Sequence, residues 1–128
     1  MNTKRIALII ILLLVIVVVA FSFVSANTHN TKIDVVSNST LKNGESVVIQ
    51  LSDDYRNKLA DQKVDVKILA DNGWAHKYNV TTDQNGEGSI TLETFENGNY
   101  TVRCNYNGTM FFRETSSQTP LNIDDGLG

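Results

Sequence analysis

The apolar residues of this chain follow two different patterns. From Ile6 to Val24 the sequence is an almost unbroken run of 19 apolar residues. Such a run predicts a helix about 28 Å long, close to the hydrocarbon thickness of a bilayer. After Asn27, apolar residues recur at every second position, which is the period of a β-strand. The pattern therefore predicts a hydrophobic helix over residues 1–26 and a β-rich domain over residues 27–128.

The alternation predicts seven or eight short strands in the second region. The clearest is Lys63–Ile68, where Val64, Val66 and Ile68 alternate with charged residues. Because one side of a strand faces the core, we expect these alternating residues to lie inside. The other sets with this period are Ile33 and Val35; Val47, Ile49 and Leu51; Tyr78, Val80 and Thr82; Ile90 and Leu92; Tyr100, Val102, Cys104 and Tyr106; and Met110 to Phe112 with Leu121 and Ile123.

Turn residues separate these predicted strands. Asparagine and glycine readily adopt the positive φ angles of tight hairpin turns. Five Asn-Gly pairs occur, at positions 43–44, 72–73, 85–86, 97–98 and 107–108. The segment from Asp53 to Gln62 is the longest irregular piece and is expected to connect two sheets. Evenly spaced strands with such turns, and no helical pattern after Asn27, predict a β-sandwich.

Four segments of this region resemble a known family, and they are Leu59–Val66, Thr81–Gly86, Gly98–Val102 and Tyr106–Thr109. Their order and spacing resemble the immunoglobulin-like domains found in tandem in large adhesin-like surface proteins of bacteria and archaea. The family often has Gly-x-Pro before the strand, where this chain has Asn57-Lys58. The resemblance implies an all-β, immunoglobulin-like β-sandwich of seven or eight strands that serves adhesion, spacing or surface display. It brings no catalytic residue to transfer.

The position of Tyr100 agrees with an immunoglobulin-like sandwich. In that fold a tyrosine two residues before a core position hydrogen-bonds back across a corner of the chain. Tyr100 precedes Val102 by this spacing. The sequence therefore predicts a tyrosine corner at Tyr100, and the alternative is an ordinary inward-facing aromatic residue.

The N-terminal segment has the charge distribution of an export signal. Lys4 and Arg5 precede the apolar run, and the next basic residue is Lys32. This asymmetry predicts that the N-terminus stays inside and that the domain is exported, to the cell surface or the extracellular space. Small residues in Val24–Ala26 favour cleavage before Asn27. Because the run exceeds the usual signal-peptide core, a retained single-span helix, with the membrane as partner, is the alternative.

Composition argues against nucleic acid as a partner and excludes an intrachain disulfide. Residues 27–128 have the length of one domain. Without Lys4 and Arg5 the formal charge falls by two, from −3 to −5. An acidic domain argues against nucleic acid as a partner, because phosphate backbones require clustered Lys and Arg. Cys104 is the only cysteine, so no intrachain disulfide can form.

Residues capable of catalysis or metal binding lack the spacing that such chemistry needs. Cys104 lies at an inward position without a basic neighbour, where a thiol is unreactive. His29 and His76 are the only histidines, and no nucleophile motif accompanies them. The segment from Asp83 to Glu87 resembles a calcium loop, but Leu92 stands where an EF-hand loop has glutamate.

The remaining acidic pairs, Asp53-Asp54 and Asp124-Asp125, are expected to be solvated loop residues. The sequence therefore predicts no catalytic residue, no metal site and no cofactor. An exported enzyme with an unrecognised site is kept as a third interpretation.

Candidate N-glycosylation sites are given by the Asn-x-Ser/Thr motif, at Asn38, Asn79, Asn99 and Asn107. Strand alternation places the side chains of the last three in solvent, where a glycan can be accommodated. The alternative is that they are ordinary turn and strand-surface residues.

Trp74 is the candidate contact for a sugar or protein partner, because it follows the Asn72-Gly73 turn. The alternative is that it covers an edge of the core. The leading interpretation is a non-catalytic extracellular immunoglobulin-like module of adhesin-like type, acting in cell-surface adhesion or surface structure. Its partner would be a cell-surface protein or glycan. A transthyretin-like or carbohydrate-binding accessory domain is the alternative.

Overall fold

The computed structural model describes residues 3–26 and 28–126, with helix side chains as far as Ile16. The predicted cleavage junction includes Asn27 and therefore lies partly outside the described residues. The chain forms α1 (Thr3–Ala26), β1 (Thr31–Val35), β2 (Thr40–Leu41), β3 (Ser46–Asp53), β4 (Lys63–Ala70), β5 (Ala75–Thr81), β6 (Glu87–Thr91), β7 (Gly98–Tyr106) and β8 (Thr115–Ile123).

The N-terminal segment is helical, as its apolar run predicts. The large apolar side chains of its first half, from Ile6 to Ile16, are exposed. Within the residues that the structure describes, no helix has the length and apolarity needed to cross a membrane. Cleavage of this segment before Asn27 stays a prediction.

The strands form two sheets with an immunoglobulin-like order. One sheet has the order β1-β3-β6, and the other has the order β2-β8-β7-β4-β5. In immunoglobulin terms, β1, β3 and β6 occupy the places of strands A, B and E, while β4, β7 and β8 occupy those of C, F and G. β5 pairs with β4, and the short β2 pairs in parallel with β8. This order confirms the predicted immunoglobulin-like sandwich.

The core lies between the two sheets and is built from the alternating residues. Val64, Val66 and Ile68 of β4 are fully buried, and so are Val102 and Cys104 of β7. Pairing keeps them together, since Val66 lies opposite Cys104 and Ile68 opposite Val102. From the other sheet, Val47, Ile49 and Leu51 of β3 are also fully buried. The strand period therefore identified the inward faces of the central strands.

Tyr100 forms the predicted tyrosine corner. Its hydroxyl donates a hydrogen bond to the backbone carbonyl of Glu96 at 2.6 Å, and Val102 two residues later is fully buried. The bond joins the start of β7 to the loop before it, which is the immunoglobulin-type arrangement.

Four of the predicted Asn-Gly turns fall between consecutive strands, and the fifth ends at Gly98, the first residue of β7. Gly86 shows why glycine is needed: its φ is +72°, and an added Cβ would lie 2.6 Å from the carbonyl oxygen of Leu51. The predicted irregular connection also exists, leading from β3 of one sheet to β4 of the other.

The predicted strand at Met110–Phe112 is wrong. These residues lie in the loop between β7 and β8, where only Phe112 forms an isolated bridge, to His29. The Thr109 hydroxyl accepts hydrogen bonds from the amides of Phe111 and Phe112, at 3.2 and 3.3 Å, and this local turn competes with strand pairing. β2 was not predicted, because two residues are too few to show alternation.

Candidate functional site

Trp74 lies at the tip of the hairpin between β4 and β5. The hairpin is closed by a hydrogen bond from the Ala70 amide to the Trp74 carbonyl at 2.8 Å. The side chain of Asn72 accepts from the Trp74 amide at 3.0 Å, which is the local turn that asparagine favours. The Trp74 side chain is 71% exposed. The alternative that Trp74 covers a core edge is therefore wrong.

A groove of about 240 Å³ lies beside Trp74, between this hairpin and the loop that joins β6 to β7. We call it the Trp74 groove, and its lining is Ala70, Asn72, Trp74, His76, Thr94, Phe95, Glu96 and Tyr100. His76, Phe95 and Tyr100 contribute aromatic rings to this lining. The rings of His76 and Phe95 are 4.4 Å apart, and those of Phe95 and Tyr100 are 5.6 Å apart with their edges and faces in contact.

Asn43 holds the far wall of the Trp74 groove in place. Its side chain accepts from the Phe95 amide at 2.9 Å and donates to the Phe95 carbonyl at 2.8 Å. The same residue binds the Asp125 carboxylate through its backbone and side-chain nitrogens, at 2.8 and 2.9 Å. Thr94, next in the wall, has a φ of +57°, an uncommon conformation for a β-branched residue. Hydrogen bonds with Asn43 therefore fix the conformation of the loop that forms this wall.

The Trp74 groove combines a rigid aromatic surface with polar groups. Glu96 and Asn72 supply a carboxylate and an amide beside the exposed indole. Burial, together with the nearby Glu96 charge, raises the pKa of the Tyr100 hydroxyl. Such a groove can bind a ligand that has one flat apolar side and several hydroxyl groups.

Sequence reasoning identified Trp74 but missed Phe95 and Glu96. They belong to Glu93–Asn97, a charged segment without strand alternation. Phe95 is nevertheless 5% exposed and belongs to the core. The sequence signal for its burial was that it is the single aromatic residue in an otherwise polar connection.

The residues considered for catalysis do not come together. Cys104 is buried, and burial raises the pKa of its thiol, as the inward position predicts. His29 forms a bridge with Phe112 in the loop after β7, and its Nδ1 lies 3.3 Å from the Asp54 carboxylate. His76 lies at the opposite end of the sandwich, against Phe95.

The prediction of a solvated loop residue is wrong for Asp53, which ends β3 and is buried. Asp53 and Asp83 both bind backbone amides. Asp53 accepts hydrogen bonds from the amides of Tyr55 and Asn57, both at 2.9 Å. Asp83 accepts from the amides of Asn85 and Glu87, at 2.8 and 3.0 Å. These contacts close loops. Within residues 3–26 and 28–126, no group of three or more His, Cys, Asp or Glu side chains has the arrangement of a metal site.

All four candidate glycosylation asparagines, at positions 38, 79, 99 and 107, are exposed, as alternation predicts for the last three. Two already have side-chain partners. The Asn79 amide donates to Asp65 at 2.7 Å, and the Asn99 carbonyl accepts from Asn122 at 2.9 Å. Their modification stays a prediction.

Comparison with known proteins shows the fold. No protein-family model matches the chain, and no curated protein matches its sequence. Among solved structures, a tetra-tandem repeat from the extending region of a large adhesion protein matches 77% of this chain at 13% identity and a TM-score of 0.52, and the chain spans 25% of that structure. The Lin-41 filamin domain matches 75% of this chain at 17% identity and a TM-score of 0.53, with 93% of that domain covered.

Proposed function

We propose that this protein is an exported, non-catalytic immunoglobulin-like module of the adhesin-like type known from bacteria and archaea, acting in cell-surface adhesion or surface structure. The exposed Trp74 beside an aromatic groove is the observation that carries the adhesive role. Large exposed aromatic residues on a rigid surface are typical of contact sites. The fold it shares with an adhesion-protein repeat supports the same role.

Export is supported by the basic residues before the apolar run and by the small residues at its end. The intact mass of the native protein, from membrane and medium fractions, tests this part. We expect a mass that begins at Asn27, increased by any glycan. An unprocessed mass confined to the cytoplasm would contradict export.

Adhesion is tested with beads that carry the exported protein. We expect the beads to bind cells of the source organism and the variant Trp74→Ala to bind fewer. Tyr55→Ala is the matched control, because Tyr55 is 70% exposed and lies at the other end of the molecule, against His29. Equal binding by beads without protein would contradict adhesion.

A carbohydrate-binding accessory domain is the second candidate, and the Trp74 groove favours it. An indole beside amide and carboxylate groups suits the apolar face and the hydroxyl groups of a neutral sugar. A glycan array should then show signals that Trp74→Ala removes and Tyr55→Ala keeps. An array without signal would contradict carbohydrate binding. The adhesive role would then require a protein partner.

A further inference from the structure

The outer face of the five-stranded sheet carries a row of three cations. In the register of the sheet, Lys67 of β4 lies directly opposite Lys77 of β5 on one side and Arg103 of β7 on the other. We call these three residues the basic row. With strands about 4.8 Å apart, the row extends over about 10 Å. A shallow depression of about 200 Å³ lies along it, and its lining also includes Asp65, Tyr78 and Asn105.

The basic row is unusual for this molecule. The exported portion has a net charge of −5, yet none of these three cations forms an ion pair with a carboxylate of the described residues. Asp65, the acidic residue nearest in register, accepts a hydrogen bond from Asn79 at 2.7 Å. Like charges placed directly opposite each other destabilise a sheet. A destabilising arrangement of charges such as this one is expected at functional sites.

We propose that the basic row binds a polysaccharide that carries carboxylate groups. The planar guanidinium of Arg103 matches a planar carboxylate in a two-bond contact, and the lysines add point charges beside it. Around the row, Asn105 and Gln118 provide amides that can bind sugar hydroxyl groups. This surface lies apart from the Trp74 groove and does not depend on its function.

Other anionic macromolecules fit this face less well. A protein interface needs a core of aromatic or large apolar residues, and the rows that contain Asn79 and Lys77 have polar or charged residues at each facing position. Single-stranded nucleic acid needs aromatic residues for base stacking, and these two rows supply none. Tyr78, which lines the depression, packs against the core.

The test measures binding of the exported protein, produced from the full chain, to polygalacturonate by titration calorimetry at low ionic strength. Dextran is the uncharged control. We expect binding to polygalacturonate alone, which added NaCl weakens. The variant K67Q/K77Q/R103Q should lose at least about tenfold in affinity.

A matched variant, K32Q/K42Q/K58Q, removes the same charge from exposed lysines outside the basic row. Its affinity for polygalacturonate should change little. R103K keeps the charge but loses the planar fork, so it should also weaken binding. It serves as the second variant if the triple one fails to fold. Trp74→Ala should bind polygalacturonate normally, which separates this proposal from the groove.

The proposal is overturned if the protein does not bind polygalacturonate, if it binds only the sulfated polymer heparin, or if both triple variants lose affinity equally.

Discussion

The inner and outer faces of the five-stranded sheet use the same strands for opposite purposes. On the inner face, Val66 and Ile68 meet Cys104 and Val102 in a fully buried layer. One residue away on β4, Lys67 meets two further cations on the outer face. The inner pairing stabilises the sandwich, and the outer pairing opposes it. Strand parity therefore separates the residues that pack in the core from the charged residues of the outer face.

The largest effect should come from the inner face. Ile68 is fully buried, so Ile68→Ala should lower the free energy of unfolding by about 2–5 kcal/mol through lost burial and a residual cavity. Lys67→Ala, one position along, is the matched control and should cost almost nothing. Chemical denaturation of both variants checks the difference. Equal losses would show that the two faces do not differ as described.

A polar group inside the sandwich should show an intermediate effect that depends on pH. Burial raises the pKa of Asp53, but hydrogen bonds from Asn57 and Tyr55 outweigh it and hold the pKa below its ordinary value of 3.8. The folded-state pKa is lower than the unfolded one. The carboxylate therefore contributes stability that is present above pH 3.8 and lost as the pH falls through the folded-state pKa.

The variant Asp53→Asn should lose about 1–3 kcal/mol of unfolding free energy at neutral pH. On acidification, the free energy of unfolding of this variant should also fall by less than that of the native protein. Asp71→Asn is the control, since Asp71 is exposed. Denaturation at several pH values gives both quantities, and parallel curves for the native protein and Asp53→Asn would contradict the assignment.

The smallest effect should have the opposite sign. Lys67→Gln relieves repulsion within the basic row, so it should raise the free energy of unfolding by about 0.2–1 kcal/mol. The gain should shrink in NaCl, because salt screens exposed charges. Lys32→Gln should give no gain, since Lys32 lies 3.5 Å from the Asp34 carboxylate. A gain for Lys32→Gln alone would show that the row carries no strain.

The two faces also mark how far the sequence could be interpreted. Alternation assigned Val64, Val66 and Ile68 to the interior, because parity within one strand is a local property. Which residues become neighbours across strands depends on register, which the sequence does not display. The position of Lys67 between Lys77 and Arg103 in the sheet was therefore missed.

The candidate site shows the same limit. Trp74 was identified from its place after a turn, but Phe95 lies in a different loop. Its backbone is held there by two hydrogen bonds with the Asn43 side chain. Contacts between separate connections have no periodic signal in the sequence. The tyrosine corner was predictable because its spacing is short and specific to the fold.

The parallel pairing of β2 with β8 has a mechanical consequence. Asn122 and Asp124 donate amide hydrogen bonds to the carbonyls of Ser39 and Leu41, at 2.8 and 3.0 Å. These bonds cross between strands that run in the same direction. A pulling force along the long axis of the module would load them together in shear, instead of opening them one after another as in a zipper. Resistance to stretching would then depend on this two-residue strand, the shortest in the described sandwich.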